Sequence, residues 1–166
     1  MLKSFQTLMS TPFGGVAVSL RKGVMHVDLL TESLFMQYRM QEDMQSEHPL
    51  IIQVSNQIKQ YLSKSVISFV LPLDLNGTPY QKKVWQAILE IPYGQTRTYG
   101  ELAQQICSGP RAVANACGEN SLPLLIPCHR VVAKNGLGGF MQGQHNGLLI
   151  KRWLLAHEGI VSYEHK

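Results

Sequence analysis

Three observations predict an α/β (α+β) chain in two parts. A β-alternating hairpin is followed by a helical apolar stripe, a turn-rich Asp74-Leu75-Asn76-Gly77 run comes next, and beyond it lies a series of capped helices. The expected division is an N-terminal α/β domain over 1–76 and a mainly helical domain over 77–166. With 166 residues, 45% of them hydrophobic, the chain can bury a core in one domain or two small ones.

The elements follow in order. Val16, Val18 and Leu20 alternate with small residues, and Arg21-Lys22-Gly23 turns the chain into Val24 to Leu30, a hairpin. Thr31 to His48 holds neither period and reads as a loop or a loosely held helix. Pro49 suits a first helical turn, after which Leu50, Ile51, Val54, Ile58, Tyr61 and Leu62 form one stripe that should pack on the hairpin. Ile67 to Leu73 is β-branched and apolar but contains Pro72, so an extended edge segment is expected.

In the second part, Thr78, Pro79 and Gln81 make a capping box ahead of Val84, Trp85, Ile88 and Leu89. Thr98 and Glu101 repeat that pattern before Leu102, Ala103 and Ile106, and Pro110 opens another helix running to Gly118. Two short helices across a tight turn suggest a helix-turn-helix. Small residues such as Ala112, Ala114 and Ala116 follow Arg111, which suits either tight helix packing or close approach to DNA. Leu124 to Ile126 reads as a buried extended run and Lys134-Asn135-Gly136 as a turn. The last helix, Asn146 to Glu158, should bury Leu148, Ile150, Trp153, Leu154 and Leu155, with Gly159 ending it. Trp85 and Trp153 are expected as core anchors.

Composition bounds the function. The net charge of +4 favours an anionic partner without specifying one. No early basic-apolar leader pattern or membrane-length apolar run is present, so a cytoplasmic protein is expected. The cysteines Cys107, Cys117 and Cys128 fit neither a disulfide scaffold nor paired zinc ligands, which points to free thiols in a reducing compartment. Cys107 and Cys117 read as small buried hydrophobes. His26 and His48 precede any cysteine and are too few for a metal site, while His145, His157 and His165 read as exposed or packing residues. No metal and no cofactor are expected.

Chemistry concentrates in Ile126-Pro127-Cys128-His129-Arg130-Val131-Val132, where thiol, imidazole and guanidinium follow one another. A neighbouring cation or base shifts a cysteine toward thiolate, the form that attacks carbon. On an extended strand Cys128 and His129 would face opposite ways, so they can cooperate only across a turn or through a bridging water.

The Pro127-Cys-His-Arg-Val131 run resembles the active-site signature of the O6-alkylguanine-DNA alkyltransferases, the methylated-DNA-protein-cysteine methyltransferases. Thr78-Pro-Tyr-Gln-Lys-Lys-Val-Trp85, Tyr93-Gly94, Thr98-Tyr99, Arg111-Ala-Val113, Asn120 and Trp153-Leu-Leu-Ala-His-Glu-Gly159 resemble further family elements in family order. The resemblance implies a small ribonuclease-H-like N-terminal α/β domain and a winged helix-turn-helix-like motif that approaches the minor groove. It implies a monomer acting on double-stranded DNA that carries O6-alkylguanine, with O4-alkylthymine a second candidate, by one irreversible alkyl transfer to Cys128.

In that reading His129 relays the thiol proton through water, Glu158 holds the imidazole, and Asn120 bonds backbone around the active-site turn. Tyr99 crowds the target phosphate and donates to N3 of the leaving guanine. Arg111 fills the vacated stack, with Ala112, Ala114 and Asn115 on the same DNA-facing helix. Pro123 and the Val131 carbonyl belong to the base pocket. The chain departs from the family in having Phe140 then Met141 where Gly or Asn then Tyr is usual, with extra residues before the last helix. Met141 is then a candidate wall of the pocket, and Gln142 stands where a backbone N–H meets O6. Two rivals are a lesion sensor that binds DNA without accepting the group, and a cysteine hydrolase. The retained Cys128-His129-Glu158 set argues against the first, and the lack of an oxyanion-hole motif against the second.

Overall fold

The computed structural model describes residues 5–41, 46–63, 66, 68–70, 75–140 and 146–163. The chain forms two compact units, Met1–Asp74 and Leu75–Lys166. Small sheets and helices make it an α+β fold.

In the first unit, β1 (Thr7–Thr11), β2 (Gly14–Arg21) and β3 (Val24–Thr31) form an antiparallel sheet in the order β1-β2-β3. The β2–β3 loop is the two residues Lys22 and Gly23, both with positive φ (50° and 78°), as a tight hairpin between right-twisted strands requires. β1 pairs with β2 from Thr7 opposite Val18 to Thr11 opposite Gly14, a third strand that the alternation pattern did not announce.

Residues that read ambiguously after Thr31 resolve into α1 (Glu32–Tyr38), whose N-terminus Thr31 caps by accepting from Leu34 N, and a 3-10 turn over Arg39–Gln41. Phe5, Leu8, Ala17, Leu30, Phe35 and Tyr38 make one core cluster there. α2 (Pro49–Leu62) has Pro in its first turn and buries Ile51, Val54, Ile58 and Tyr61 against β1 and β2. The described residues of the expected edge segment form no strand. Instead the Gln57 side-chain amide pairs with Val70, donating to its carbonyl at 3.0 Å and accepting from its N–H at 2.6 Å.

The second unit starts at α3 (Pro79–Leu89). Thr78 accepts from Gln81 N at 3.1 Å and Gln81 Oε1 from Thr78 N at 2.9 Å, a complete capping box. Trp85 is 3% exposed and donates to the Ala116 carbonyl at 2.9 Å, tying α3 to the helix that carries Arg111. α4 (Tyr99–Gln105), capped by Thr98, and α5 (Pro110–Gly118) form the helix-turn-helix pair. Their turn passes through Cys107, which has φ 56° and is exposed, so it is no buried hydrophobe.

α6 (Gly147–His157) buries Ile150, Leu154 and Leu155 and ends at Gly159, whose N–H donates to Ala156 O at 2.9 Å while Ile160 N donates to Leu155 O at 2.8 Å. Two expectations on α6 need correction. Leu148 is 40% exposed, and Trp153 is half-buried, stacked on His157 at 4.8 Å. The apolar stripe is wider than the surface the helix covers. Two two-residue strands, β4 (Arg97–Thr98) and β5 (Val131–Val132), pair in parallel and bring the start of α4 beside the cysteine turn.

Candidate active site

Asn120 sits just past α5 and organises the turn that presents Cys128. Its Oδ1 accepts from Leu122 N at 2.8 Å, and its Nδ2 donates to Ile126 O at 2.9 Å and to Cys128 Sγ at 3.1 Å. Leu124 takes φ 77° and Pro123 bridges to Ile126, so 124–126 is buried as expected but turns instead of extending. The apolar run looked like a strand; the Asn120 amide supplies the alternative backbone partners that fold it back. Pro127 then leads into a single 3-10 turn, Cys128–Arg130, with Arg130 N donating to Pro127 O at 2.9 Å. On such a turn successive side chains diverge by about a third of a revolution. Cys128, His129 and Arg130 are all buried but head for different partners.

The partner of His129 and Arg130 is Glu158, the residue that closes α6. Glu158 Oε2 lies 2.5 Å from His129 Nε2 and 3.3 Å from Arg130 Nη2. Its Oε1 accepts from Arg130 Nε at 2.8 Å and from Gly94 N at 2.9 Å. Arg130 also donates to Ile91 O at 2.9 Å, and its guanidinium lies over the Tyr93 ring at 5.7 Å. The guanidinium of the cysteine motif is therefore spent on this carboxylate, not on the sulfur.

The electrostatics follow. Burial opposes ionisation of Glu158, yet the His129 hydrogen bond and the Arg130 charge outweigh it and hold the carboxyl well below the usual carboxylate range. Burial pushes His129 down despite Glu158, so the ring is neutral at pH 7 and free to take a proton. With the ring neutral, the permanent positive charge on this carboxylate is that of Arg130. The Cys128 thiol is pushed well above its ordinary range, first by the hydrogen bond it donates to the neighbouring Cys117 and then by burial, while Asn120 and Lys151 pull it down. The resting sulfur is thus a thiol, not the thiolate that the adjacent imidazole and guanidinium suggested. Cys117, half-buried on α5, faces Cys128 and is not the inert core residue its sequence context implied.

Tyr99, the first residue of α4, donates to Gly139 O at 3.4 Å and is packed against Gly138. Burial, with Cys117 and Cys128 nearby, raises its phenol to about 12, so it remains a donor. Lys151 of α6 is fully buried and donates to the carbonyls of Val131 (2.7 Å), Leu137 (2.6 Å) and Gly139 (2.9 Å). The Val131 carbonyl expected in a base pocket therefore already accepts one bond. Pro123 is half-buried, whereas Met141 and Gln142 lie outside the described residues.

Arg111, the second residue of α5, and Asn115 are exposed, with Ala112 and Ala114 half-buried. Ala112, Ala114 and Asn115 line an open groove of about 760 Å³ shared with Thr78, Tyr80 and Gln81 of the α3 start. This face of α5 is distinct from the Cys128–Glu158 cluster. Among the described residues, no helix is long and apolar enough to cross a membrane, and no group of three or more His, Cys, Asp or Glu side chains could hold a metal ion.

The chain as a whole is similar to known proteins. The chain is 33% identical over 168 residues to the constitutive methylated-DNA–protein-cysteine methyltransferase of Bacillus subtilis, covering 98% of this chain and 99% of that protein. It belongs to the methylated-DNA–protein-cysteine methyltransferase family. Residues 79–160 match the family model described as the DNA binding domain of 6-O-methylguanine DNA methyltransferase. A probable methyltransferase of this family from Acanthamoeba polyphaga mimivirus is 53% identical over 90 residues, 53% of this chain and 58% of that protein. The crystal structure of Mycobacterium tuberculosis OGT in complex with DNA is similar with a TM-score of 0.72 and 30% identity, covering 92% of each chain.

In this methyltransferase-family chain the fold brings Cys128, His129, Glu158 and Asn120 together, along with three residues that the sequence pattern did not single out. Arg130 was visible only as part of a motif, and its pairing with Glu158 spans 28 residues. Cys117 reads in sequence as a small buried hydrophobe, because the packing that places its helix toward Cys128 is not visible there. Lys151 sits in an apolar helix stripe at a position where a lysine ordinarily points to water. Its signal was available: Ile150, Leu154 and Leu155 flank it on the buried face.

Proposed function

We propose that this member of the methyltransferase family repairs alkylated DNA directly, taking the alkyl group of O6-alkylguanine onto Cys128 Sγ. The observation that carries the reading is the sulfur held at 3.1 Å by Asn120 next to a buried, neutral His129 anchored by Glu158. In this reading His129 removes the thiol proton through a bridging water. Glu158 stabilises the imidazolium that forms, and burial keeps the developing charges from bulk water.

The S–C bond forms as the C–O6 bond breaks, the bonding pair stays on O6 of guanine, and the sulfur's proton ends on that restored base, which remains part of the DNA. The resulting thioether does not hydrolyse under mild conditions, so each molecule acts once. Tyr99, kept protonated, is the donor to N3 of the leaving base. Because O6 of a stacked base cannot reach a buried sulfur, the nucleotide must leave the helix. Arg111, exposed at the start of α5, fills the gap, and Ala112, Ala114 and Asn115 lie against the backbone. Pro123 and Val131 flank the base. The protein works as a cytoplasmic monomer, without metal, on duplex DNA.

Mass measurement after incubation with an O6-methylguanine duplex tests this. One methyl gained per molecule, located on Cys128 and absent from Cys128→Ser, is expected. Tight lesion binding with an unmarked, reduced thiol would instead make the protein a sensor, and repeated turnover on an acyl substrate would make it a hydrolase.

A further inference from the structure

Alkyl transfer to Cys128 leaves a second sulfur beside it without a task. Cys117, the penultimate residue of α5, turns its side chain to the cysteine turn, where the Cys128 thiol donates to its sulfur. Asn120 ties the two cysteines together: its backbone N–H donates to the Cys117 carbonyl at 3.3 Å and its side-chain Nδ2 to Cys128 Sγ at 3.1 Å. Their exposures differ. Cys128 is 7% exposed, whereas Cys117 is half-buried and is the one that a small solute meets first. Exposed Cys107 stands before Pro110, at the opposite end of α5. Sulfurs already in hydrogen-bonding contact have only to close to about 2 Å to be bonded covalently. Cys117 is also the sulfur on the thiolate side: the Cys128 hydrogen bond outweighs burial and lowers it, and the Lys151 charge adds to this. A partly exposed sulfur of that kind is the one that attacks a peroxide.

We propose that Cys117 and Cys128 form a dithiol that a hydroperoxide closes into a reversible disulfide, with Cys117 the attacking sulfur and Cys128 the resolving one. With hydrogen peroxide, Cys117 Sγ attacks one oxygen and the O–O bond breaks. The departing oxygen, carrying the Cys117 proton, leaves as water, and Cys117 becomes a sulfenic acid. Cys128 Sγ then attacks Cys117 Sγ, the S–O bond breaks, and the hydroxide takes the Cys128 proton and leaves as a second water. Two thiols are oxidised to one disulfide while one peroxide is reduced to two waters. The closed pair offers no thiol to an alkyl group, so repair stops until a reductant reopens it, and the acceptor is kept from the irreversible sulfinic state. That consequence rests on the alkyl-transfer reading above; the disulfide itself does not.

The experiment treats the full chain with hydrogen peroxide and reads its mass and its unreduced peptides; Cys107→Ser is carried throughout, so that this exposed thiol cannot join two molecules. The mass is expected to fall by two hydrogens, with Cys117 and Cys128 in one linked peptide, and methyl transfer to be lost and then restored by a thiol reductant. Cys117→Ala forms no link and adds oxygen at Cys128. At a dose from which the parent recovers fully, this variant regains about a tenth of its transfer or less, because its sulfenic acid goes on to sulfinic. In Cys128→Ser, Cys117 takes up one oxygen, which a cyclic diketone traps as the sulfenic acid. Absence of the linked peptide, whatever else the peroxide does, overturns the proposal. So does full recovery of Cys117→Ala, or a Cys117 that stays unoxidised in Cys128→Ser. Chains first incubated with an O6-methylguanine duplex are expected to carry a methyl on Cys128 and to form no link. Chains that the duplex leaves unmarked, and that still close under peroxide, sink the alkyl-transfer reading and leave the disulfide standing.

Discussion

Arg130 meets Glu158 through two guanidinium nitrogens, Nε at 2.8 Å from Oε1 and Nη2 at 3.3 Å from Oε2, in a site where the carboxylate side chain is fully buried. The pair links the cysteine turn to the end of α6 and leaves His129 facing a carboxylate that is already ionised. Removing one partner strands the other as a buried charge. Arg130→Met is expected to destabilise the protein by about 3–5 kcal/mol in urea denaturation, whereas Arg130→Met with Glu158→Met recovers much of that loss. A double variant no more stable than the single one would show that the pair matters for shape and not for charge balance.

Acid should weaken the fold in two stages. His129 is depressed below its ordinary 6.5, first by burial, so the unfolded chain binds a proton there that the native ring refuses; the stability this gives is present above 6.5 and is lost as pH falls. Glu158 is held below its ordinary 4.5, so its contribution is likewise present above 4.5 and is lost on further acidification. Thermal melting is expected to decline from about pH 6.5 downward and more steeply below about 4.5. In His129→Gln the upper stage should vanish. A flat melting temperature between those two values would contradict the neutral, buried ring.

Local chemistry made much of this fold readable. The Thr78–Gln81 capping box, the two-residue Lys22-Gly23 hairpin and the α2 stripe each depend on neighbours within a few positions, and each stands in the structure. What could not be read depends on distant partners. β4 and β5 are two residues long and have no period to detect, yet their parallel pairing brings Tyr99 to the cysteine turn. Thr7–Thr11 has one buried residue, Leu8, in a polar context, and is a strand because β2 offers it an edge. In the site, Cys128, His129 and Asn120 lie within nine positions and were legible together. The upward push on the Cys128 thiol, by contrast, comes from Cys117 on α5 and from burial, neither of which its sequence neighbours disclose.

Gly138 is held at φ 75°, where a side chain is disfavoured, and a methyl group added there would lie 2.7 Å from Tyr99 Cε2 and 3.1 Å from Ala133 N. Both the strain and the overlap fall on the segment that Lys151 holds. Gly138→Ala is expected to lose about 1–3 kcal/mol of stability from backbone strain and to displace the Tyr99 ring, lowering the transfer rate. Urea denaturation and single-turnover transfer check the two effects separately. Wild-type values in both would mean that the segment relaxes without consequence.

Cys117 holds the Cys128 thiol in its protonated form more strongly than any other neighbour. Replacing Cys117 by alanine removes that hydrogen bond and the like charge that would oppose ionisation, leaving burial against the Asn120 N–H and Lys151. The Cys128 pKa should therefore fall, and its reaction with a small neutral disulfide reagent near pH 8 should accelerate. The comparison is best made with Cys107→Ser in both proteins, because Cys107 is exposed and would react first. The rate-against-pH curve for Cys117→Ala is expected to shift to lower pH than that of its parent. A curve that stays in place, or moves upward, would mean that the two sulfurs do not share a proton and that burial alone sets the resting state of the acceptor.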